Sequence, residues 1–243
     1  FSDLKDYLYE KLQRKGILEK DCDKMVKSDR VTWGSCMVAC GDADGMVAGN
    51  TRHFSATVEK LAQSVGTREK EILFGLCLYV SKGKTILIAD TNVIEYPTSE
   101  ELVDITISSA RIAEMLGFEP KVALLSHSTF GQPETDRTKR VRQAVEMLKN
   151  KKVKFLFDGE MQPDVALNSK FKSTYPFSKI VGNANVLVMP SIHAAAVSTK
   201  MLKELGGGKV IGPLLIGLAQ PIEVAPLRSS SSEILNLASI AAY

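Results

Sequence analysis

Short apolar segments rich in β-branched residues alternate along the chain with longer segments of helical periodicity. This alternation is typical of a mostly parallel sheet with helices packed on its faces, and it predicts an α/β fold. The predicted strands cover residues 46–48, 72–80, 85–89, 122–125, 154–157, 186–189 and 210–212. The predicted helices cover about 2–14, 55–65, 99–116, 134–149, 192–205 and 231–242.

Two local signals sharpen this pattern. The second and third strands are joined by the turn 81–84, which has Gly83 where a hairpin needs a positive φ, so this pair is predicted to be antiparallel. The clearest helix is 99–116, where Thr98 and Glu101 have the spacing of a capping box and Gly117 supplies a stop.

Composition excludes several classes of protein. The 243 residues include 31 Lys and Arg against 28 Asp and Glu, a net charge of +3, which is too small and too spread out to indicate a nucleic-acid partner. The longest apolar runs, 72–80 and 210–219, are too short to span a bilayer, so no membrane partner is expected. The four cysteines form no C-x-x-C pair, which favours a reduced, cytoplasmic chain. Because the chain starts at Phe1 and stops within a helical pattern, we expect a piece of a longer polypeptide.

Hydroxyl groups follow the predicted strand 122–125, in the segment 126–133 before the next helix. Ligands of open α/β sheets bind beyond the carboxyl ends of strands, and amides at a helix N-terminus suit a phosphate or carboxylate. The alternative is an ordinary N-capping loop. The candidate ligand residues are Ser126, Ser128, Thr129 and Gly131.

A second candidate segment follows the predicted strand 154–157, where a strand hands over to a helix. Its three carboxylates and one amide favour helix capping, with ligand binding or acid–base chemistry as alternatives. These residues are Asp158, Glu160, Gln162 and Asp164.

The cations in and just after the helix 134–149 have two interpretations. They could bind the phosphates of a nucleotide or an RNA backbone, but they share the helix with an apolar stripe and are more simply its solvated face. The run consists of Arg137, Lys139, Arg140, Arg142, Lys149, Lys151, Lys152 and Lys154. The three histidines lack metal-ligand spacing, and no G-x-S-x-G elbow is present. The residues alone thus predict an α/β domain that binds a phosphorylated or acyl-bearing ligand.

Taken together, six ordered segments resemble the phosphotransacetylase (phosphate acetyl/butyryltransferase) family. They are 9–16, 41–49 (GDADGMVAG), 119–131 (EPKVALLSHSTFG), 158–167 (DGEMQPDVAL), 183–190 (NANVLVMP) and 211–222 (IGPLLIGLAQPI). The resemblance implies two doubly wound α/β/α domains of the isocitrate/isopropylmalate dehydrogenase type, with a cleft between them for coenzyme A and acyl phosphate. It assigns residues 1–66 and 216–243 to one domain, whose N-terminal part is absent, and 67–215 to the other.

The sequence departs from this family at the position of its catalytic pair. Active members carry a Ser-Arg pair followed by an Asp, whereas the matching positions here are Pro226, Leu227 and Glu233; Arg228 lies one residue further on without a preceding serine. Losing one such donor typically costs about 10² to 10³ in rate, so no catalytic residue is assigned. Other departures are Phe130, Gln132, the segment 191–193 and Glu59.

Together with the segments LYEKLQRKG, DGMVAGNTRHF, PSIHAAAVSTK and LGGGKVIGPLLIGL, these departures resemble the C-terminal phosphotransacetylase-like domain of bacterial NADP-dependent malic enzymes. The resemblance implies a cytoplasmic homo-oligomer, dimeric or larger, in which this domain binds acetyl-CoA as a regulator and builds the assembly. NADP and a divalent metal would belong only to the absent N-terminal part, which converts malate to pyruvate.

For this function the implied ligand contacts are the residues of the two segments above, with Asn185 at a strand end and Arg52 or Arg228 on the phosphates of coenzyme A. Asp164 has helix capping as its alternative role, and Asn185 has backbone hydrogen bonding. The alternative function is an active phosphate acyltransferase that recruits Arg228, and a third interpretation is an assembly domain with no ligand.

Overall fold

The computed structural model describes residues 2–242, apart from the side chain of Lys172, and it has an α/β fold with mostly parallel strands. The described strands are β1 (Met46–Gly49), β2 (Phe74–Ser81), β3 (Lys84–Ala89), β4 (Lys121–Leu125), β5 (Leu156–Met161), β6 (Val186–Val188), β7 (Lys209–Ile216) and β8 (Ile222–Ala225). The described α-helices are α1 (Ser2–Leu12), α2 (Glu19–Ser28), α3 (Arg30–Cys40), α4 (Phe54–Ser64), α5 (Ser99–Met115), α6 (Asp136–Lys151), α7 (Pro163–Leu167), α8 (Ile192–Leu205) and α9 (Ser231–Ala241).

The chain divides into two compact units. One contains the residues up to Leu73 together with those from Gly212 onward, and the other contains Phe74–Ile211. The family resemblance places these boundaries after residues 66 and 215. In the first unit, β1 and β8 pair in parallel. Helices α1, α2 and α3 pack around a core that includes Leu4, Leu8 and Leu12.

The second unit contains β5, β4, β6, β3, β2 and the first residues of β7, from a sheet of order β5-β4-β6-β3-β2-β7. Strands β3, β6, β4 and β5 are parallel, so their carboxyl ends lie at one edge of the sheet. Successive side chains of a strand face opposite sides. Ala123 and Leu125 of β4 accordingly join one core cluster with Ala166 of α7 and Ala195 of α8.

The predicted hairpin is confirmed. Strands β2 and β3 are antiparallel, and the two residues that join them, Lys82 and Gly83, have φ values of 49° and 73°. Positive φ at both central positions is the geometry whose twist matches that of the flanking strands. The turn lies before β3 begins, at the sheet edge opposite the carboxyl ends of the parallel strands.

Most predicted helices are confirmed, with α8 matching the predicted 192–205 and α5 starting at the predicted capping box of Thr98 and Glu101. The prediction for strand 154–157 is wrong, because β5 runs over Leu156–Met161 and includes part of the acidic segment. The start predicted for helix 134–149 is also wrong, since Thr135 caps α6 through the amide of Thr138.

The sequence pattern missed α2, α3 and β8, and it indicated α7 only as a helix after the acidic segment, without bounds. Helix α2 buries only Cys22 and Val26, too few residues to give a periodic signal. Strand β8 carries Glu223 among buried apolar neighbours, and a carboxylate in a four-residue apolar segment reads as an interruption.

Candidate functional site

A cavity of about 300 Å³ lies in the second unit, where β4 and β6 end. It is bounded by Leu125 and Ser126 at the end of β4 and by Met189, Pro190 and Ser191 after β6. Because β4 and β6 are neighbouring parallel strands, the segments that follow them meet at the same edge of the sheet. The cavity therefore occupies the position at which open α/β sheets bind ligands.

A buried carboxylate organises the hydroxyl-rich loop beside this cavity. Glu160, only 1% exposed, lies in β5 and accepts hydrogen bonds from the Ser128 hydroxyl (3.1 Å) and the Gly131 amide (2.8 Å). The Phe130 amide donates to the Glu160 carbonyl at 2.8 Å. The loop is thus built around Glu160, and two of its predicted ligand donors already have a partner within the protein.

The charge of Glu160 is balanced by Arg142 of α6. The Arg142 Nε and Nη2 atoms lie 3.2 and 3.3 Å from the two Glu160 carboxylate oxygens, and Nη1 lies 3.3 Å from Glu134. Burial acts to raise the pKa of Glu160, but the bonds from Arg142 and Gly131 outweigh it and hold the pKa below its ordinary value. The residue therefore stands as a paired carboxylate, which favours a structural role over proton transfer.

The rest of the loop is tied to the segment after β5. The Gln162 amide donates to the Thr129 hydroxyl (3.2 Å), and its side-chain Nε2 donates to the His127 carbonyl (2.9 Å). The Ser126 hydroxyl accepts from Ser128, while its residue borders the cavity. Of the four predicted loop residues, Ser126 is the one that lines this cavity.

The acidic segment does not cap a helix in the way the sequence favoured. Asp158 and Glu160 lie inside β5, and the Asp158 carboxylate accepts from the amides of Gly159 and Lys179 at 2.9 and 2.8 Å. Asp164 is exposed in the first turn of α7 and accepts from the Val165 amide. Because β5 is longer than predicted, the first two carboxylates hold the strand and its neighbouring loops.

Asn185 lies at the end of the sheet opposite the loop 126–133 and the cavity. Its side chain accepts from the Lys121 amide (2.7 Å) and donates to the Glu119 carbonyl (2.8 Å). Lys121 begins β4, whereas Leu125, which bounds the cavity, ends it about 13 Å away at the usual rise per residue. The alternative role, backbone hydrogen bonding, is the one the structure supports.

Two arginines of α6 line the cavity, and sequence reasoning placed them on a solvated face. Arg140 donates from Nη1 to the Pro97 carbonyl at 3.2 Å, and the Arg137 guanidinium lies 4.9 Å from the centre of the Tyr96 ring. Helical spacing identified the buried face of α6 correctly, with Val141 at its centre. It gave no sign that two of the cations beside that face border a cavity.

Asp90 holds the loop that brings Tyr96 to the cavity. This carboxylate, 2% exposed, accepts from the amides of Gly75, Asn92, Val93 and Ile94 at 2.6–3.3 Å. Burial raises the pKa of Asp90 in spite of these four donors. The arrangement fixes the path of the chain after β3.

The predicted cations of the first unit differ in their surroundings. Arg52 lies 2.9 Å from Asp29, which Lys60 contacts at the same distance. Burial acts to raise the pKa of Asp29, but Lys60, the Thr32 amide and Arg52 lower it to about 2. Arg52 is therefore already paired with a helix-capping carboxylate.

Arg228 is exposed and has a φ of 61°, and its amide donates to the Asn50 carbonyl. Just before it, at the positions where the resemblance implied a catalytic pair, stand Pro226 and Leu227. The Pro226 carbonyl accepts from Ser229, and Leu227 is 49% exposed. Neither side chain offers a hydroxyl or a positive charge. Glu233 belongs to the capping box of α9.

Within the described part of the chain, no group of three or more His, Cys, Asp or Glu side chains is arranged to hold a metal ion. In the same residues, no helix has the length and apolar character needed to cross a membrane.

Comparison with known proteins places these features in a family. The family described as phosphate acetyl/butaryl transferase matches residues 2–242. The NADP-dependent malic enzyme of Rhizobium meliloti is 48% identical over 238 residues, covering 98% of this chain and 31% of the relative. The chain thus spans about a third of the length of that curated relative. The phosphate acetyltransferase of Bacillus subtilis is 33% identical over 232 residues, covering 95% of this chain and 72% of the relative.

Solved structures agree with this similarity. A phosphotransacetylase from Streptococcus pyogenes is 30% identical with a TM-score of 0.90, over all of this chain and 75% of that one. The EutD phosphotransacetylase from Staphylococcus aureus is 29% identical with a TM-score of 0.86, over 99% of this chain and 74% of that one. The match along nearly the whole sequence and the shared fold lead to one conclusion: the chain belongs to the phosphate acetyl/butaryl transferase family.

Proposed function

We propose that this chain is a phosphotransacetylase-like regulatory and assembly domain of an NADP-dependent malic enzyme, which binds acetyl-CoA and has no acyl transfer activity of its own. The observation that carries the proposal is the pair Pro226 and Leu227 at the position where the resemblance implies a catalytic Ser-Arg pair. Without a hydroxyl and a fixed cation there, the charge that develops on the acyl or phosphoryl oxygens loses its stabilising donors.

Retention of the rest of the framework supports ligand binding. The hydroxyl loop is ordered around Glu160 by the bonds to Ser128 and Gly131. Ser126 and Thr129 are the loop residues we assign to the acyl or phosphate end of acetyl-CoA, while Ser128 and Gly131 act through Glu160. Arg228 is assigned to the phosphates of the coenzyme, since its side chain is exposed.

The relatives support the malic enzyme part of the proposal. The malic enzyme of Rhizobium meliloti shares 48% of its aligned residues with this chain, against 33% for the phosphate acetyltransferase of Bacillus subtilis. The whole enzyme would oxidise and decarboxylate malate with NADP and a divalent metal, both held outside this chain. A cytoplasmic homo-oligomer and an isocitrate dehydrogenase-like pair of domains with a ligand cleft belong to the same proposal.

The test is calorimetric titration of the chain with acetyl-CoA, combined with an assay of acyl transfer from acetyl phosphate to coenzyme A on the same sample. We expect saturable binding and no turnover above the rate without protein. Turnover that depends on the protein would overturn the claim that the domain is inactive. Absence of binding at millimolar acetyl-CoA would overturn the regulatory role.

An active phosphate acyltransferase is the second candidate, and the exposed guanidinium of Arg228 is the observation that favours it. In that case Arg228 would supply the cation that Leu227 lacks. Arg228→Ala would then abolish turnover without changing the unfolding transition, and Arg228→Lys would keep part of it. Under the leading proposal neither variant has any turnover to lose.

A further inference from the structure

The cations of helix α6 fall into two groups. Lys139 lies 3.1 Å from Glu134, Lys149 lies 2.6 Å from Glu146, and Arg142 is paired with both Glu134 and Glu160. Arg137 and Arg140, which line the cavity, have no carboxylate within 4.0 Å among the described residues. Lys151, in the last turn of the helix, is exposed and does not line the cavity, so Arg137 and Arg140 are the cations of α6 that bring unneutralised positive charge to it.

Both guanidinium groups are held in place by contacts that leave donors available. Arg140 uses Nη1 on the Pro97 carbonyl, and Arg137 packs over the Tyr96 ring. Residues three apart on a helix have Cβ atoms roughly 5–6 Å apart, so both side chains leave α6 from the same face. The cavity thus has two neighbouring planar forks, each suited to bidentate binding of one carboxylate.

The remaining walls of the cavity are mainly apolar. Leu102, Leu125, Val141, Met189 and Ala194 contribute to them, and no acidic residue is among the described residues that line the cavity. Its volume of about 300 Å³ is at the lower end of the range for small-molecule sites. A ligand that fills this space is small and needs a carbon skeleton to cover the apolar walls.

Polar groups opposite the arginines add to the attraction for an anion. Ser126 and Ser198 line the cavity, as does Ser191, which caps α8 through the Ala194 amide. Helix α8 has 14 residues, and the partial positive charge of its N-terminus lies at the cavity wall. The arginines of α6 and the N-terminus of α8 therefore both favour an anionic group in the cavity.

We propose that this cavity is a binding site for a short dicarboxylate, held by Arg137 and Arg140 through its two carboxylates and by the apolar walls through its carbon skeleton. A compact inorganic dianion would leave the walls uncovered, and a monocarboxylate would leave one guanidinium unpaired. The cavity shares Ser126 with the acetyl-CoA contacts proposed above, but dicarboxylate binding through Arg137 and Arg140 does not depend on acetyl-CoA binding.

The test compares three anions by calorimetry on the same chain. Succinate has two carboxylates and a carbon skeleton, butyrate has the skeleton with one carboxylate, and inorganic phosphate has the charge without a skeleton. We expect succinate to bind most tightly. Phosphate or butyrate binding as tightly as succinate would overturn the dicarboxylate assignment, and no saturable succinate binding would overturn the site.

Variants test the role of the arginines. Arg137→Ala and Arg140→Ala should each weaken succinate binding about tenfold or more, because each removes charge-assisted hydrogen bonds to one carboxylate. Lys151→Ala is the matched control, since it removes one positive charge from the same helix at an exposed position that does not line the cavity. If Lys151→Ala weakened succinate binding equally, long-range attraction by the charge of the helix would explain the effect, and the proposed site would be overturned.

Two further measurements separate a loss of succinate binding from a loss of folding and from a failure of acetyl-CoA to bind. Arg137 is exposed, so Arg137→Ala is expected to keep the wild-type unfolding transition, and a folded variant with unchanged succinate affinity would contradict the proposal. Acetyl-CoA is titrated against the same variants. Failure of acetyl-CoA to bind the wild-type chain would count against the proposed function and leave the succinate result intact.

Discussion

Glu223 is a carboxylate buried in the first unit without a cationic partner in its described contacts. It is 6% exposed in β8, and its Oε2 accepts from the Leu215 amide at 2.9 Å. Burial raises the pKa of Glu223 to about 8, and the Leu215 amide offsets this only in part. Since the unfolded chain releases this proton near pH 4.3, folding is disfavoured increasingly as the pH rises from about 4.3 to about 8.

Glu223→Gln should remove this dependence, because glutamine keeps an acceptor for the Leu215 amide and cannot ionise. We expect the variant to be more stable than the wild type at pH 8 by on the order of 4–5 kcal/mol, with the difference falling to about 1 kcal/mol at pH 5. Urea denaturation between pH 5 and pH 8 measures it. Glu69→Gln, an exposed change in the same unit, is the control. Parallel stability curves for Glu223→Gln and the wild type would contradict the assignment.

The contacts of a second carboxylate, Glu160, predict that its replacement measurably lowers the free energy of unfolding. Glu160→Ala leaves the Ser128 hydroxyl, the Gly131 amide and the Arg142 guanidinium without their shared acceptor. Breaking a buried charge pair costs about 3 kcal/mol, and partial exposure of Arg142 keeps the value at this lower end. Denaturant unfolding should show the loss, and hydrogen exchange at Gly131 should become faster.

The chain supplies a matched control for this change. Glu134 contacts the same Arg142 from the surface at 3.3 Å, and Glu134→Ala removes an exposed partner while leaving the buried one. Exposed ion pairs contribute little, so this variant should unfold like the wild type. Equal effects of Glu134→Ala and Glu160→Ala would show that Glu160 does not hold the loop.

At the scale of elements, the β2–β3 turn predicts that replacing its glycine lowers the free energy of unfolding. Gly83 has a φ of 73°, and a Cβ added there would meet no heavy atom within 4 Å. Gly83→Ala should therefore destabilise the protein by about 1 kcal/mol through backbone strain alone. Urea denaturation measures the change, and Lys82→Ala is the control because its residue already carries a Cβ at positive φ. A neutral Gly83→Ala would mean that the turn relaxes.

The elements also show what the sequence could and could not predict. Helix α8 and the β2–β3 hairpin were predicted because each has a local signal, an apolar period or a turn glycine. Strand β5 was placed too early, since Asp158 and Glu160 look like loop residues until their partners Lys179 and Arg142 are known. Those partners are distant in sequence, so local periodicity cannot reveal them.

The same limit applies to the candidate site. The sequence identified the loop after β4 because parallel strands place such loops at a ligand-binding edge. It named Arg137 and Arg140 as possible phosphate-binding cations but favoured a solvated face, because helical spacing separates buried from exposed faces and does not show which exposed residues border a cavity. Asn185 precedes β6, and the amino ends of the parallel strands lie at the other end of the sheet, so the structure places its side chain apart from this loop.

For the whole molecule, acetyl-CoA binding predicts a gain in stability by mass action. A ligand at 100 times its dissociation constant stabilises the folded chain by about 2.7 kcal/mol, which corresponds to a rise in Tm of roughly 5–10 °C for a chain of this size. The measurement is thermal unfolding in the presence of acetyl-CoA, with desulfo-CoA and AMP as comparison ligands. No rise in Tm at saturating acetyl-CoA would leave assembly as the role of this chain.

The variant Gly83→Ala is a control for the thermal unfolding experiment with acetyl-CoA, because the turn lies at the end of the sheet opposite the loop 126–133. Changes at distant, independent sites add, so the variant should lower the starting Tm while acetyl-CoA raises the Tm by the same amount as in the wild type. Glu160→Ala should instead reduce the rise, since the loop that we assign to the ligand depends on Glu160. A rise that is equal in all three proteins would place the acetyl-CoA contacts away from the loop after β4.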